Sequence, residues 1–284
     1  MRYKGRRRSS NVEDRRGVSR GKKVGVGGGI CTIVIVLIVV LLGGDPETAM
    51  EVMQPGQGTE QAMGNYQPTA HEQELAEFVS VVLADTEDVW NMLFEQSGLT
   101  YREPTLVLFS SEVQSACGFS SAATGPFYCP GDQKVYIDLN FLEKLQMKLG
   151  AEGDFAMAYI VAHEVGHHVQ QLLGTMDQVQ SQRGRISQTD YNKLMVRLEL
   201  QADFYAGIWA HYISKQKDIL HRGDLEEAMN AAKAVGDDVI QKRSRGYVVP
   251  DSFTHGTAAQ RMGWFKKGLT TGNVGEGDTF NARI

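Results

Sequence analysis

Two histidines and a glutamate are the residues whose types and spacing point most directly to chemistry. His163, Glu164 and His167 lie in the stretch VAHEVGHHVQ of the 284-residue chain. On a helix, residues four apart project from one face, so both imidazoles could bind one zinc ion with Glu164 beside its open position. His168, about 100° round the helix from His167, is expected to pack or to support a ligand. An ordinary pair of surface or core histidines is the alternative interpretation.

A catalytic zinc site needs a third protein ligand. Gln170 and Leu173 exclude the pattern in which a glycine and a third histidine follow the motif directly. The stretch LELQADFYAG offers Glu199 and Asp203, again four residues apart. Glu199 could complete a set of two histidines and one carboxylate, and Asp203 could accept a hydrogen bond from a ligand imidazole. Acidic pairs on helices also serve solubility alone, but the apolar neighbours here favour a metal or another partner.

These candidate residues fall on helices that follow a set of strands. Apolar residues at spacings of three, four and seven predict a helix from Leu75 to near Gly98. Turn residues 130–132, between residues 127–128 and 134, suggest a hairpin. The remaining predicted strands are 105–109 and 135–139, and the remaining predicted helices are 154–173, 190–214, 224–242 and 257–269. Strands followed by helices indicate an α+β domain.

The N-terminal region has the pattern of a membrane anchor. Residues 1–23 hold ten Lys and Arg against two acidic residues, and residues 24–42 carry no charge. Nineteen helical residues span about 28 Å, close to the hydrocarbon thickness of a bilayer. We therefore expect a basic cytoplasmic tail (1–23), a transmembrane helix (24–42), a flexible linker (43–70) and a periplasmic or extracellular domain (71–284). A cleaved signal peptide is the rival interpretation.

The charge of the chain after residue 23 argues against nucleic acid as a partner. Nineteen basic and thirty-two acidic residues give this part a net charge of −13. Phosphate backbones attract proteins mainly through Lys and Arg. The basic tail is accordingly interpreted as an orientation signal, and the lipid bilayer as the partner of residues 24–42.

Three cysteines fit an exported domain. Cys31 lies in the apolar run, whereas Cys117 and Cys129 stand twelve residues apart in the predicted domain. An oxidising compartment would allow Cys117 and Cys129 to form a disulfide. Free buried thiols, or metal ligands that lack the usual C-x-x-C partners, are the alternatives.

Four stretches of the chain together resemble a bacterial family, the neutral zinc metallopeptidases with one N-terminal membrane helix. They are HEVGHHVQ, ELQAD, CGFSSAATGPFYCPGDQKVYIDLNF and GYVVPDSFTHGTAAQR. The resemblance covers most of the chain and implies a zincin-like fold, similar to the gluzincin peptidases, with one Zn²⁺ per chain. Carried over position by position, it implies three zinc ligands, His163, His167 and Glu199. It also implies Glu164 as the catalytic base and Asp203 as the support of a ligand.

These features predict a membrane-anchored zinc endopeptidase that acts on peptides or proteins. Zinc lowers the pKa of a bound water towards about 7, and Glu164 would take the proton and deliver it to the leaving amine. His255 in SFTHGT is the candidate donor to the oxyanion, with Tyr205 or Tyr247 behind it. His255 could instead cap a helix or pack. An extended substrate could add a strand to the hairpin around Tyr128.

A binding module is the competing class of function. It would be a catalytically silent, membrane-tethered scaffold that keeps zinc as a structural element or holds a partner protein. Structural zinc normally has four protein ligands and no open position. Only three convincing ligands are recognisable, and Glu164 would have no role in a scaffold, so we favour the enzyme. A structural or interaction protein without metal is the third possibility.

Overall fold

The computed structural model describes residues 1–17, 66–121, 125–141, 153–216 and 219–284, which form a mixed α+β structure with a helical bundle. The strands are β1 (Val12–Asp14), β2 (Thr105–Phe109), β3 (Glu112–Ser115), β4 (Gly118–Ser121), β5 (Phe127–Cys129) and β6 (Lys134–Asp138). The α-helices are α1 (Ala70–Gln96), α2 (Asp154–Leu172), α3 (Thr175–Gln180), α4 (Gln188–Ser214), α5 (Asp224–Ala234), α6 (Asp237–Arg245) and α7 (Ala258–Thr271). The predicted α+β class is confirmed.

Four of the strands form one mixed sheet in the order β1, β2, β6, β5. β2 and β6 pair in parallel, with Leu106 opposite Val135, and most residues of both strands are buried. Such runs are typical of strands covered on both faces. β5 pairs antiparallel with β6, with Tyr128 opposite Val135, so the predicted hairpin is confirmed. β1 and β5 are the edge strands of this sheet, and β3 pairs with β4 separately.

A disulfide between Cys117 and Cys129 ties the β3–β4 hairpin to the sheet. The two Sγ atoms lie 2.05 Å apart. Cys117 lies in the turn between β3 and β4, and the fully buried Cys129 ends β5. The predicted pairing is thus confirmed. Cys31 lies outside the described residues.

Glycines decide how closely α4 and α7 approach in the helical bundle. A Cβ added at Gly207 would lie 2.1 Å from the carbonyl oxygen of Phe265. One added at Gly268 would lie 2.1 Å from the carbonyl oxygen of Phe204. A side chain at either position would therefore push the helices apart. The crossing sets how α7 meets the buried polar side chains of α4.

Residues 1–17 pack on the domain through β1 and a row of ion pairs with α1. β1 pairs in parallel with β2. Arg6 donates to both carboxylate oxygens of Asp85, at 3.0 and 2.5 Å, and Arg7 donates to Glu87 at 2.9 Å. Asp85 and Glu87 are buried. The two arginines therefore supply the positive charge that these carboxylates need away from water.

This packing differs from the expected separate tail over residues 1–23. The sequence predicts an orientation signal in the basic residues, whereas several of those in residues 1–17 pair with acidic side chains of α1. A charge count along the sequence cannot distinguish these two uses of arginine. Residues 18–65, with the predicted transmembrane helix (24–42) and most of the predicted linker, lie outside the described residues. No helix within the described ranges combines the length and the apolar character that a membrane crossing needs.

The predicted helices α1, α2, α4 and α7 are present with shifted ends. The stretch 224–242, predicted as one helix, forms two, because the chain turns at Gly236. There the backbone packs so closely that an added Cβ would lie 2.3 Å from the amide nitrogen of Ala258. The sequence does not predict α3, β1, β3 or β4, which are too short to show a clear period.

The docking of residues 1–17 predicts a pH-dependent loss of stability in Arg6→Ala. We expect the free energy of unfolding to fall by about 2 kcal/mol at pH 8, because buried Asp85 loses its cation. Burial already raises the pKa of Asp85 to about 6, although Arg6 opposes the shift. That value lies above the pKa of about 4 in the unfolded chain, so folding favours protonation and the loss should shrink at pH 5. Urea denaturation of the wild type and Arg6→Ala at both pH values measures the difference in the free energy of unfolding.

Lys4→Ala is the control for Arg6→Ala, because Lys4 forms an exposed pair with Glu74. It should unfold like the wild type at both pH values. An Arg6→Ala variant as stable as the wild type at pH 8 would show that the ion pair does not hold residues 1–17 in place.

Candidate metal centre

The close crossing of α2 and α4 brings their polar side chains together. Gly166 of the HEVGH motif faces α4, where an added Cβ would lie 2.9 Å from the carbonyl oxygen of Ala202. The glycine lets the two backbones approach without a side chain between them. α2 therefore presents His163 and His167 to Glu199 of α4.

The ligand atoms of His163, His167 and Glu199 form a compact set. They all lie within 4.8 Å of one another, and all three residues are buried. Nε2 of His163 is 3.2 Å from Oε2 of Glu199, and Nε2 of His167 is 3.5 Å from Oε1 of the same carboxylate. Two imidazole nitrogens and a carboxylate are the donors of zinc sites that keep one position open. The donor set therefore fits zinc.

Partners on the far side of each imidazole leave both Nε2 atoms directed at the centre. Nδ1 of His163 lies 2.9 Å from Oδ1 of Asp203 in an ion pair, although the two atoms are not aligned as a hydrogen bond. Nδ1 of His167 lies 2.9 Å from Oε1 of Gln170, whose amide nitrogen donates to the carbonyl of Leu198 at 2.7 Å. Since Gln170 offers its oxygen, His167 donates from Nδ1, which leaves Nε2 as the nitrogen that faces the centre. Partners of this kind orient metal ligands.

Asp203 lies behind His163 and is fully buried. It also contacts the hydroxyl of Tyr159, and Arg261 donates to both of its carboxylate oxygens, at 2.8 and 2.9 Å. Burial alone would raise the pKa of Asp203, but Arg261 and His163 outweigh it and lower the pKa to about 2. Asp203 is therefore an ionised member of a buried network and not part of a solvated helix face.

The charges of the centre are coupled through burial. Burial would lower the pKa of His163, but the carboxylates of Asp203 and Glu199 outweigh it and raise the pKa to about 10. Burial would raise the pKa of Glu199, but the imidazoles of His167 and His255 help to hold it well below its ordinary value. A proton on His163 thus supplies part of the positive charge that the carboxylates require. A metal ion would replace that proton.

Glu164 lies between the candidate ligands and the edge strand β5. Burial is the largest influence on its pKa and raises it, whereas the imidazoles of His167 and His163 and a hydrogen bond from the backbone of Tyr128 lower it. The net result is a raised pKa, which suits a group that takes and returns a proton near neutral pH. Since the backbone of Tyr128 acts on the pKa of Glu164, the edge strand β5 runs beside the centre.

His168 connects α2 to this edge strand and is not one of the candidate ligands. Its Nδ1 lies 3.0 Å from the hydroxyl of Tyr128, and its Nε2 lies 2.5 Å from the carbonyl oxygen of Arg102. A carbonyl only accepts, so Nε2 carries the proton and Tyr128 donates to Nδ1. Burial lowers the pKa of His168 to about 4, which keeps the ring neutral. His168 therefore packs and positions β5.

His255 is held beside the centre by Asp237, the first residue of α6. Its Nδ1 lies 3.2 Å from Oδ1 of Asp237, whose Oδ2 accepts hydrogen bonds from the backbone N–H groups of Thr254, His255 and Gly256. Burial would lower the pKa of His255, but Asp237 and Glu199 outweigh it and raise the pKa. The charges of His255 and Glu199 thus act on each other, and each favours the ionised form of the other.

The two tyrosines considered as alternatives to His255 have other surroundings. Tyr205 is buried, and its ring packs edge-on against Trp90 with 5.3 Å between the centroids. Tyr247 is 63% exposed. Tyr205 therefore belongs to the core and Tyr247 to the surface, and His255 is the remaining candidate donor.

A second group of acidic side chains lies around the start of α2. It consists of Asp154, Asp224 and Glu227. The amino-terminal ammonium of Met1 contacts Asp154 and lies 3.3 Å from Asp224. Asp154 and Asp224 thus have a cation in contact, and Glu227 accepts a hydrogen bond from the backbone N–H of Phe155.

Comparison with known protein families assigns the chain to one family. Residues 1–280 match the family described as "Putative neutral zinc metallopeptidase". The chain belongs to this family. The matched residues include α2 and α4, which carry the candidate ligands, so membership of the family implies zinc as the metal.

Relatives in two bacterial groups are similar to the chain over different lengths. The chain is 47% identical to "Uncharacterized protein YpfJ" of Escherichia coli (strain K12) over 288 residues, which cover 100% of both proteins. It is 43% identical to "Uncharacterized protein Rv2575" of Mycobacterium tuberculosis (strain ATCC 25618 / H37Rv) over 192 residues, 64% of each protein. No solved structure matches the chain significantly.

Sequence reasoning misses four polar residues around the candidate ligands. They are Gln170, Tyr159, Asp237 and Arg261. The sequence shows Gln170 only as a residue that excludes a longer motif, although its spacing of three from His167 on a helix is a signal for contact. Arg261 meets its carboxylate partner across 58 residues and Asp237 meets His255 across 18, and no local pattern reveals such pairs.

The geometry predicts that each of the three candidate ligands is required for zinc. We expect His163→Ala, His167→Ala and Glu199→Ala to lose the metal, because two donors in a buried site do not hold it against solvent. Elemental analysis of the purified full chain measures zinc per protein. The control is His221→Ala, which changes an exposed histidine and should keep the zinc. Full zinc occupancy in Glu199→Ala would move the third ligand to another residue.

Proposed function

We propose that this protein is a zinc-dependent endopeptidase. The observation that carries the proposal is the position of Glu164, a buried carboxylate between a three-residue donor set and the free edge of a sheet. His163, His167 and Glu199 would hold the ion. Zinc bound there would polarise a water molecule and a peptide carbonyl. Three protein ligands leave one position open for this chemistry.

Glu164 acts as the base and then as the acid. Its carboxylate takes a proton from the attacking water and returns that proton to the amine nitrogen as the peptide bond breaks. Burial raises its pKa, which makes the first transfer, from water to the carboxylate, easier than for an exposed glutamate.

His255 stabilises the negative charge that develops on the carbonyl oxygen. Its Nδ1 is engaged by Asp237, so Nε2 is the nitrogen left to donate to the substrate. Asp237 and Glu199 raise the pKa of His255, which favours the protonated ring that donates most strongly. A fixed donor in a site away from bulk water lowers the barrier more than a solvent molecule would.

Extended peptides bind along the free edge of β5 as an additional strand. β5 is an edge strand, and the backbone of its Tyr128 acts on the pKa of Glu164. Two contacts hold it in place: the Tyr128 hydroxyl bonds to His168 on α2, and Cys129 is in the disulfide. Pairing by backbone hydrogen bonds selects an extended chain over a compact small molecule.

A catalytically silent zinc scaffold is the second candidate function. Among the residues that the structure describes, the donor group has three members, whereas structural zinc normally has four. A scaffold would also bear the cost of burying Glu164 without using it. These two points favour the enzyme.

We also propose that the protein acts at a membrane through residues 24–42, which lie outside the described residues. Contacts of the residues on either side of this segment restrict how it can meet the membrane. Gly17 and Tyr66 are in contact, since a Cβ added at Gly17 would lie 2.3 Å from Cβ of Tyr66. Residues 1–17 also pair with β2 and α1. A single crossing would put residues 1–17 and the metal centre on opposite sides of the bilayer. With these contacts in place, residues 24–42 would therefore lie against the membrane without crossing it once, in place of the predicted transmembrane helix with a cytoplasmic tail.

Glu164→Gln separates catalysis from metal binding. We expect the variant to keep its zinc and to lose hydrolysis by a factor of at least about 100, because it lacks the base but no ligand. Cleavage of an unbiased peptide library by the full chain, analysed by mass spectrometry, measures the rate. Glu226→Gln removes an exposed carboxylate on α5 and should cleave like the wild type. Equal cleavage by Glu164→Gln and the wild type would refute the role of Glu164.

A further inference from the structure

We propose that Arg261 is a positioning residue of the metal centre, which sets zinc affinity through Asp203 and joins the ligand helices to the His255 loop. The proposal rests on zinc binding by His163, His167 and Glu199. Arg261 lies on α7, 58 residues from Asp203, and touches none of the three ligands in the contacts that the described residues make. Its influence on the metal must therefore act through other side chains.

The contact between Arg261 and Asp203 fixes the carboxylate in one orientation. Nε of Arg261 donates to Oδ2 at 2.8 Å, and Nη2 donates to Oδ1 at 2.9 Å. Arg261 is 4% exposed and Asp203 is fully buried. With both oxygens engaged, Asp203 cannot turn about its axis, and Oδ1 stays 2.9 Å from Nδ1 of His163. The planar guanidinium thereby fixes the ring that offers Nε2 to the metal.

The balance of buried charges is the second reason to expect that Arg261 sets zinc affinity. Glu164, Glu199 and Asp203 are three buried carboxylates within one site. Zinc brings two positive charges, and Arg261 brings the third. These three positive charges balance the three carboxylates, and the paired charges of His255 and Asp237 beside them oppose each other, which lowers the desolvation cost of the buried cluster. Without Arg261, the carboxylate that supports His163 would lack its counter-charge.

A third contact extends from Arg261 to the other side of the centre. Nη1 donates to the carbonyl oxygen of Val235 at 3.2 Å. Val235 lies two residues before Asp237, which holds the backbone and the ring of His255. Arg261 thus ties α4, which carries Glu199 and Asp203, to the segment that positions His255. Lysine could supply the charge but not the paired contacts, because its ammonium has no planar fork.

Zinc affinity of the full chain, measured by competition with a chelator, tests this proposal without any peptidase assay. Arg261→Met should lower the affinity about 10- to 100-fold, the range typical of lost support behind a metal ligand. Asp203→Asn should lower it by a similar factor. The double variant should bind zinc no more weakly than Asp203→Asn alone, because Arg261 acts through the carboxylate that is already lost.

Arg16→Met is the matched control. Arg16 is 2% exposed and donates to both oxygens of Asp14, at 2.9 and 2.6 Å, away from the metal centre. It should lose stability and bind zinc like the wild type. If Arg261→Met does not fold, Arg261→Lys decides, because it keeps the charge and loses the paired contacts; it should still bind zinc more weakly than the wild type, and wild-type affinity would overturn the proposal.

The outcomes are distinct. Wild-type affinity in Arg261→Met, or a double variant that binds zinc clearly more weakly than Asp203→Asn, would overturn the role of Arg261 while leaving the zinc site intact. A wild type that binds no zinc would instead overturn the proposed function, and this inference with it.

Discussion

The burial of three carboxylates between α2 and α4 is the constraint on which the rest of the site depends. Glu199 lies 3.2 Å from His163 and 3.5 Å from His167, Asp203 lies 2.9 Å from His163, and Glu164 is buried on the same helix as both histidines. Charges in such a place need opposite charges at contact distance. The fold supplies them from Arg261 and, when no metal is bound, from a proton on His163. The same requirement makes this a strong place to bind a divalent cation.

The fold meets this constraint through close backbone contact. Gly166 lets α2 reach α4, and Gly207 and Gly268 let α7 reach α4 from another side. These approaches bring side chains of three helices into one cluster, although the ligands and Arg261 are far apart in the sequence. Buried carboxylates are also neutralised near β1, the other edge strand of the sheet. There Arg6 and Arg7 neutralise the buried Asp85 and Glu87 of α1 and hold residues 1–17 on the domain.

Site residues that lie close together in the sequence can be predicted from it, whereas those brought together only by the fold cannot. The spacing of His163 and His167, and of Glu199 and Asp203, is enough to predict pairs on helix faces, and the structure places the first three of these residues together and Asp203 behind them. The hairpin at Tyr128 and the disulfide follow from turn residues and cysteine spacing in the same way. Arg261 and Asp237 could not be predicted, because their partners are fixed by how helices cross. Residues 1–17 show the opposite problem, since a basic run before an apolar run has a common topological meaning that local patterns cannot exclude.

X-ray absorption at the zinc edge of the metal-loaded full chain tests the central claim most directly. The account predicts nitrogen and oxygen neighbours at about 2.0–2.1 Å, with outer-shell scattering from two imidazoles and no sulfur. A shell at about 2.3 Å would show a cysteine ligand, and scattering from three or four imidazoles would show a different donor set. Either result would contradict a centre built from His163, His167 and Glu199.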